Sequence, residues 1–260
     1  MLLPLIFGLL CLQEPTPEPK GQEPAPQPEV QAKEGEKAKP AAVPIEAWDD
    51  RRGKAEAKTL KAAFKGKPSM RDRSKALDVV APGANKYLVK PLQDIVDDDD
   101  SLVIRRRAAE LLGNQPEKEA NKAIRKLLAS AKVAAAPTVQ AELIRSLSRC
   151  GYEDKHWKGL AGEFERLYHL DRVPVQEAML DLVIAHKEKQ AIPVLLRNLD
   201  EPIPADPHAA GNPPAEYWEA RWKSWRIWRG KVKEALFVIT GQRFSTANEA
   251  RAWLRKNKLE

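Results

Sequence analysis

The feature that most constrains this chain is a hydrophobic pattern that repeats at intervals of about 35 residues. Met70–Arg71, Ile104–Arg105, Val139–Gln140 and Val175–Gln176 each open a helix-spaced run. Four residues after each opening stand Ser74, Ala108, Leu143 and Met179, and seven after stand Leu77, Leu111, Ser146 and Leu182. Offsets of 0, 4 and 7 mark one face of an α-helix. Each run is followed by a second apolar stripe: Leu88, Leu92 and Ile95; Ile124, Leu127 and Leu128; Leu160, Phe164 and Leu167; Ile192, Leu195, Leu196 and Leu199. The unit is plainest from Asp97 to Ala131, where an acidic turn feeds one helix and a short break precedes the next. One hairpin cannot cover both of its own stripes, so neighbours must stack. The expected fold is all-α. Few Gly and aromatic residues and abundant Ala, Leu, Lys, Arg and Glu point the same way.

Asp100, Ile104–Arg105, Ala108 and Leu111–Leu112–Gly113 carry a family resemblance. An acidic turn, a hydrophobe followed by Arg, Ala four residues later and Leu-Leu-Gly before a second amphipathic helix resemble a HEAT repeat. The Val139 and Val175 units depart from it, with Gln for Arg and no Ala. The resemblance spans roughly residues 68–200 and implies an α-solenoid of about four hairpins that binds a protein partner along its inner helices. On that reading Arg105, Gln140 and Gln176 lie on the partner face, although Arg at this place also serves hydrogen bonding between repeats. Such a motif is informative about fold and says little about function.

The flanks differ in composition. Residues 1–12, MLLPLIFGLLCL, are too few to span a bilayer but match the apolar core of a secretory signal. Export to the periplasm or cell envelope is therefore expected, although Lys and Arg are missing from the start of the segment. Cys11 raises a lipoprotein alternative, in which the membrane is reached only through an N-terminal anchor; Leu10 before it is bulkier than such signals favour. Residues 13–46 hold seven Glu against four Lys with repeated Pro, a composition expected to stay disordered as a linker. Helical spacing is read from Ile45 onward, with Trp48, Leu60 and Phe64 on a leading helix that caps the stack at the start of the folded region 47–200. Arg51 to Lys75 contains ten basic residues against Glu56 and Asp72. That run fits a phosphate-binding patch or the solvated face of amphipathic helices.

Residues 201–215, rich in Pro, are expected to form a loop. Residues 216–260 are expected to form a Trp-rich helical cap, within which the short TGQRF…EARAWL pattern of residues 240–254 resembles a terminal module of bacterial exported HEAT-repeat proteins. Trp218, Trp222, Trp225 and Trp228 are spaced 4, 3 and 3 residues apart, which places them on one arc with Arg221 and Arg229. This ridge serves either as an aromatic platform for glycans or bases or as the seal over the last hairpin. A short helix over Val232–Ile239, a Gly241 C-cap and a Thr246/Glu249 capping box complete the expectation.

Chemistry-bearing patterns are sparse. Asp97 to Asp100 reads as a helix cap rather than a Ca²⁺ loop. The four His lack zinc spacing, Cys150 has no His partner in sequence, and nucleotide and hydrolase motifs are missing. No cofactor, metal or catalytic residue is expected. The reading is a non-catalytic exported scaffold for a protein partner. The alternatives are nucleic-acid binding through residues 51–75 and the Trp/Arg block, favoured by a net charge of +7, or glycan binding on the Trp ridge.

Overall fold

The computed structural model describes residues 44–66, 68–204 and 209–259. The signal-like segment and almost all of the Pro/Glu-rich run lie outside the described residues. Among those described, the chain is all-helical apart from one two-residue strand pair. The helices are α1 (Asp50–Ala63), α2 (Met70–Val80), α3 (Lys86–Asp98), α4 (Leu102–Leu112), α5 (Glu117–Leu128), α6 (Ala131–Ala134), α7 (Pro137–Arg149), α8 (Trp157–Glu165), α9 (Val173–His186), α10 (Ile192–Arg197), α11 (Ala215–Thr240) and α12 (Ala247–Lys256). No described helix is long and apolar enough to cross a membrane.

Side-chain caps start several of these helices. The side chains of Asp49, Ser69, Asn85 and Thr246 accept hydrogen bonds from the backbone N–H of Arg52, Asp72, Tyr87 and Glu249. Each thereby satisfies a donor that the first helical turn leaves unpaired. Gly241 ends α11 in the left-handed conformation, as a C-cap glycine does.

Helices α2, α4, α7, α9 and α11 pack on one another in that order, and α3, α5, α8 and α10 follow as their partners. A single core runs from Trp48 to Leu254. Hydrogen bonds between hairpins join residues about one unit apart. Asn85 N–H donates to Gln115 Oε1, 30 residues on; Asn121 reaches the Gly151 carbonyl, also 30; Tyr152 reaches Glu188, 36; Ser146 reaches the Ala109 carbonyl, 37. Ile104, Val139 and Val175 are fully buried.

Several details differ from the sequence expectation. Met70 lies at the first position of α2, on the open end of the helix, and stays exposed. Leu167 is exposed because α8 stops at Glu165. No helix begins at Ile45: Glu46–Ala47 (β1) pairs in parallel with Gly83–Ala84 (β2). Gly83 is required there, because a Cβ would lie 2.1 Å from the Trp48 indole. Val232–Ile239 is not a separate helix, since α11 runs straight through Gly230. Glu249 returns its capping bond to Ser245 N–H rather than to Thr246, at 2.8 Å. The Asp97–Asp100 run does not cap α4 either. Ser101 holds the N-cap position, while Asp99 and Asp100 both bind Arg73 Nη1 at 2.6 Å and Asp98 binds Lys132 at 2.8 Å.

Candidate partner-binding faces

The residues expected on the partner face are internal staples. Arg105 donates to the Val96 carbonyl at 2.7 Å and the Lys132 carbonyl at 3.3 Å. Gln140 is 1% exposed; it donates to Glu163 Oε2 at 2.9 Å and accepts from Arg172 Nη1 at 2.7 Å. Gln176, equally buried, donates to the Phe164 carbonyl at 3.0 Å and accepts from Trp228 Nε1 at 2.9 Å. The expectation that Gln140 and Gln176 face a partner is therefore corrected. Arg105, Arg172 and Gln176 each reach a carbonyl near the end of the preceding second helix, where helical C=O groups lack partners of their own.

The Trp ridge is split. Trp225 and Trp228 are buried against the body, and Phe164 meets Trp228 edge-on with ring centroids 5.2 Å apart. Trp218 and Trp222 are half-buried, and Trp222 Nε1 donates to Glu201 at 2.6 Å. Arg229 lies over Trp225 at 4.9 Å, and Arg221 over Tyr168 at 5.0 Å. Trp225 and Trp228 thus pack inward and cannot form a platform. What stays open is a shallow dip of about 380 Å³ with Leu170, Trp222 and Ile227 beside Lys223 and Arg226.

Charge pairing differs from helix to helix. Along α4, α7 and α9 most cations are matched, with Arg106 exposed and unpaired among the described residues. Arg107 meets Asp78 at 3.6 Å and Glu110 at 2.7 Å; Arg149 meets Glu142 at 3.2 Å; Lys231 reaches Asp181 at 2.6 Å. Beside them, on α5, a cluster of cations is not matched. Lys118, Lys122, Arg125 and Lys126 of α5 are exposed and make no hydrogen bond or ion pair among the described residues. At four- and three-residue steps, Lys118, Lys122 and Arg125 form one ridge along the helix.

A groove lies on each flank of that ridge. Between α3 and α5, about 340 Å³ is rimmed by Lys86, Lys90, Lys122 and Lys126 over Val89 and Ala123, with Glu119 the acidic group in its lining. Between α5 and α8, about 420 Å³ is rimmed by Arg125, Lys155 and His156 over Leu128, Leu147 and Leu160. Lys86 and Lys90 are paired on their far sides with Asp50 and Asp94, and Lys155 with Glu153.

No family model, curated protein or solved structure matches the chain.

The second groove has a distinct electrostatic character. Burial, then the Arg125 charge, lowers the His156 pKa from its ordinary value, so the ring is neutral near pH 7. Its Nδ1 accepts from Glu153 N–H at 3.0 Å. Cys150 is buried and its thiol is pushed up to about 11, first by burial, which leaves it protonated and unreactive at neutral pH. The α5 cations escaped the sequence reading because each helix alone shows an ordinary solvated face. Only stacking sets Lys86 and Lys90 opposite residues some 35 positions later.

Proposed function

We propose that the chain is a non-catalytic, exported scaffold: a HEAT-like α-solenoid, closed by the Trp-rich helix α11, that binds a protein partner. The observation carrying this reading is the recurrence of bonds between successive hairpins at 30 to 39 residues, including Arg149 to the Glu110 carbonyl. Contacts confined to neighbouring units are the signature of a quasi-one-dimensional stack, whose long faces suit extended partners. Helix α5 carries four neighbouring exposed cations, Lys118, Lys122, Arg125 and Lys126, with no ion pair among the described residues. Export rests on the apolar run of residues 1–12 and a Pro-rich spacer.

Two measurements test the reading. Intact mass of the protein recovered from fractionated native cells should lack about the first dozen residues; a full-length soluble product sinks the export claim. A photo-crosslinking side chain placed at Lys122 in cells should yield an adduct that survives nuclease, and one placed at Val79 should yield none. Val79 is exposed on α2, a helix that lines neither groove beside α5. A nuclease-sensitive adduct at Lys122 would replace the scaffold reading with nucleic-acid binding.

A further inference from the structure

We infer that the α5 ridge and its two grooves bind an extended acidic protein segment that carries an apolar residue at every third position. This rests on the scaffold reading and names the chemistry of the partner.

Three observations converge. Lys118, Lys122, Arg125 and Lys126 cluster on one helix and are unpaired among the described residues, while Arg107, Arg149 and Lys231 on other helices are held in ion pairs. An anionic partner therefore displaces no existing ion pair on α5. The groove floors are aliphatic: Val89 and Ala123 on one side, Leu128, Leu147 and Leu160 on the other. Aliphatic floors receive Leu or Val side chains, whereas single-stranded nucleic acid is held by aromatic faces on which bases stack. Neither groove is lined by an aromatic ring other than the buried His156. The charge and the floor together favour a polypeptide.

The spacing follows from geometry. Adjacent packed helices lie about 8–10 Å apart, so two grooves flanking one helix are separated by about that distance. A polyproline II strand advances about 9.3 Å in one three-residue turn, with every third side chain on the same face. An apolar residue set in each groove leaves two residues between them to cross the ridge. Those two, when acidic, meet Lys122 and Arg125. Gly159, exposed at the edge of the second groove, has no atom within 4 Å of where a Cβ would stand, so a larger side chain can be introduced there without a clash.

The test uses the full chain and three probes of equal charge: the peptide (Leu-Glu-Glu)₅, its analogue (Ser-Glu-Glu)₅, and an oligothymidylate with ten phosphates. Fluorescence anisotropy at low salt should show saturable binding of the Leu peptide at least about 10-fold tighter than either other probe, weakening as salt rises. The triple variant K122E/R125E/K126E should lose at least about 30-fold, while K58E/K65E/K75E, equal in net charge change, should stay within about 3-fold of the parent. Gly159→Leu fills the second groove without altering charge and should cost about 10-fold with an undiminished melting temperature. The His156 ring resonances should shift during titration of the Leu peptide.

Each of several results overturns the inference: no saturable binding of the Leu peptide, equal affinity for the Ser analogue, oligothymidylate bound as tightly, or equal losses in the two triple variants. If the Leu peptide fails while the nuclease-resistant adduct at Lys122 persists, the acidic segment is refuted and the scaffold reading stands.

Discussion

Trp228→Ala separates a structural seal from a binding platform more sharply than any other single substitution. The indole is fully buried, meets Phe164 edge-on at 5.2 Å, and donates from Nε1 to Gln176 Oε1 at 2.9 Å. Gln176 in turn donates to the Phe164 carbonyl at 3.0 Å, so the indole closes a chain linking α8, α9 and α11. Removing a buried Trp costs about 3–5 kcal/mol through lost transfer energy and the cavity left behind. Trp228→Phe keeps most of the apolar area but strands the Gln176 oxygen, at about 1–3 kcal/mol. At about 2–4 °C per kcal/mol for a domain of this size, the Ala variant should melt about 6–20 °C lower. Trp222→Ala should cost only about 1 kcal/mol, because that ring is half-buried. The assay is urea unfolding followed by far-UV circular dichroism, with native-state hydrogen exchange to locate the damage. In a stack of neighbour contacts the lost protection should concentrate in α9 and α11. If Trp228→Ala falls within about 1 kcal/mol of the parent, or Trp222→Ala costs as much, the seal argument fails.

Three further outcomes are expected. Gly159→Ala and Gly230→Ala, whose added methyls meet nothing within 4 Å inside helices, should each raise stability by about 0.5–1 kcal/mol in urea unfolding; a loss at either site would mean that glycine is needed there. Gly83→Ala should lower it by about 1–3 kcal/mol, since the methyl overlaps the Trp48 indole and must push β1 away; an unchanged midpoint would refute the close approach. The pKa of His156 is lowered from 6.5 in the folded state, so its contribution is fully present above pH 6.5 and lost as pH falls through the folded value. Thermal melts below pH 6.5 should therefore show a decline that His156→Gln flattens, and an equal decline in both proteins would exclude this histidine as its source.

How much of this was readable in advance depended on distance along the chain. Ile104, Ala108 and Leu111 announced their buried face because helical periodicity is a local property. The Gly241 C-cap and the Thr246 N-cap were legible for the same reason. The Trp ridge was legible as an arc. Its split into buried Trp225 and Trp228 and half-open Trp222 was not, because Glu201 and Gln176 decide it from 21 and 52 residues away. Gln140 and Gln176 looked like exposed polar residues at a repeat's opening. Their partners Glu163, Arg172 and Trp228 come from other helices, and hydropathy cannot distinguish a solvated amide from a satisfied buried one. The strand pair at Glu46–Ala47 is too short to leave a period. The basic ridge and its grooves arise only from setting α5 between α3 and α8, so no window of sequence contains them.

The buried network at Arg172 gives a stringent test of how the hairpins hold register. Its guanidinium, almost fully enclosed, donates to Gln140 Oε1 at 2.7 Å, to the Glu163 carbonyl at 3.2 Å and to Glu163 Oε2 at 3.0 Å. Burial pushes the Glu163 carboxyl upward, yet hydrogen bonds from Gln140 and Arg172 outweigh it and leave the pKa below the ordinary 4.5. That carboxylate therefore stabilises the fold above pH 4.5, and the contribution fades as pH falls through its folded value. Arg172→Met removes the cation and leaves Glu163 and Gln140 facing a thioether. Breaking a buried pair on one side typically costs about 3–5 kcal/mol; because Glu163 keeps part of its surface in water, about 2–3 is expected here. The double variant Arg172→Met/Glu163→Met should recover much of that loss, since a buried ion pair replaced by apolar groups of similar size is often neutral. The single variant's deficit should also shrink below pH 4.5, where Glu163 can take a proton. Equal losses in the single and double variants at neutral pH would mean that Arg172 acts through packing rather than charge. A smaller loss in the double variant would identify the Arg172–Glu163–Gln140 cluster as a device of registration, which sets how α7 and α9 meet without adding much to how firmly they hold.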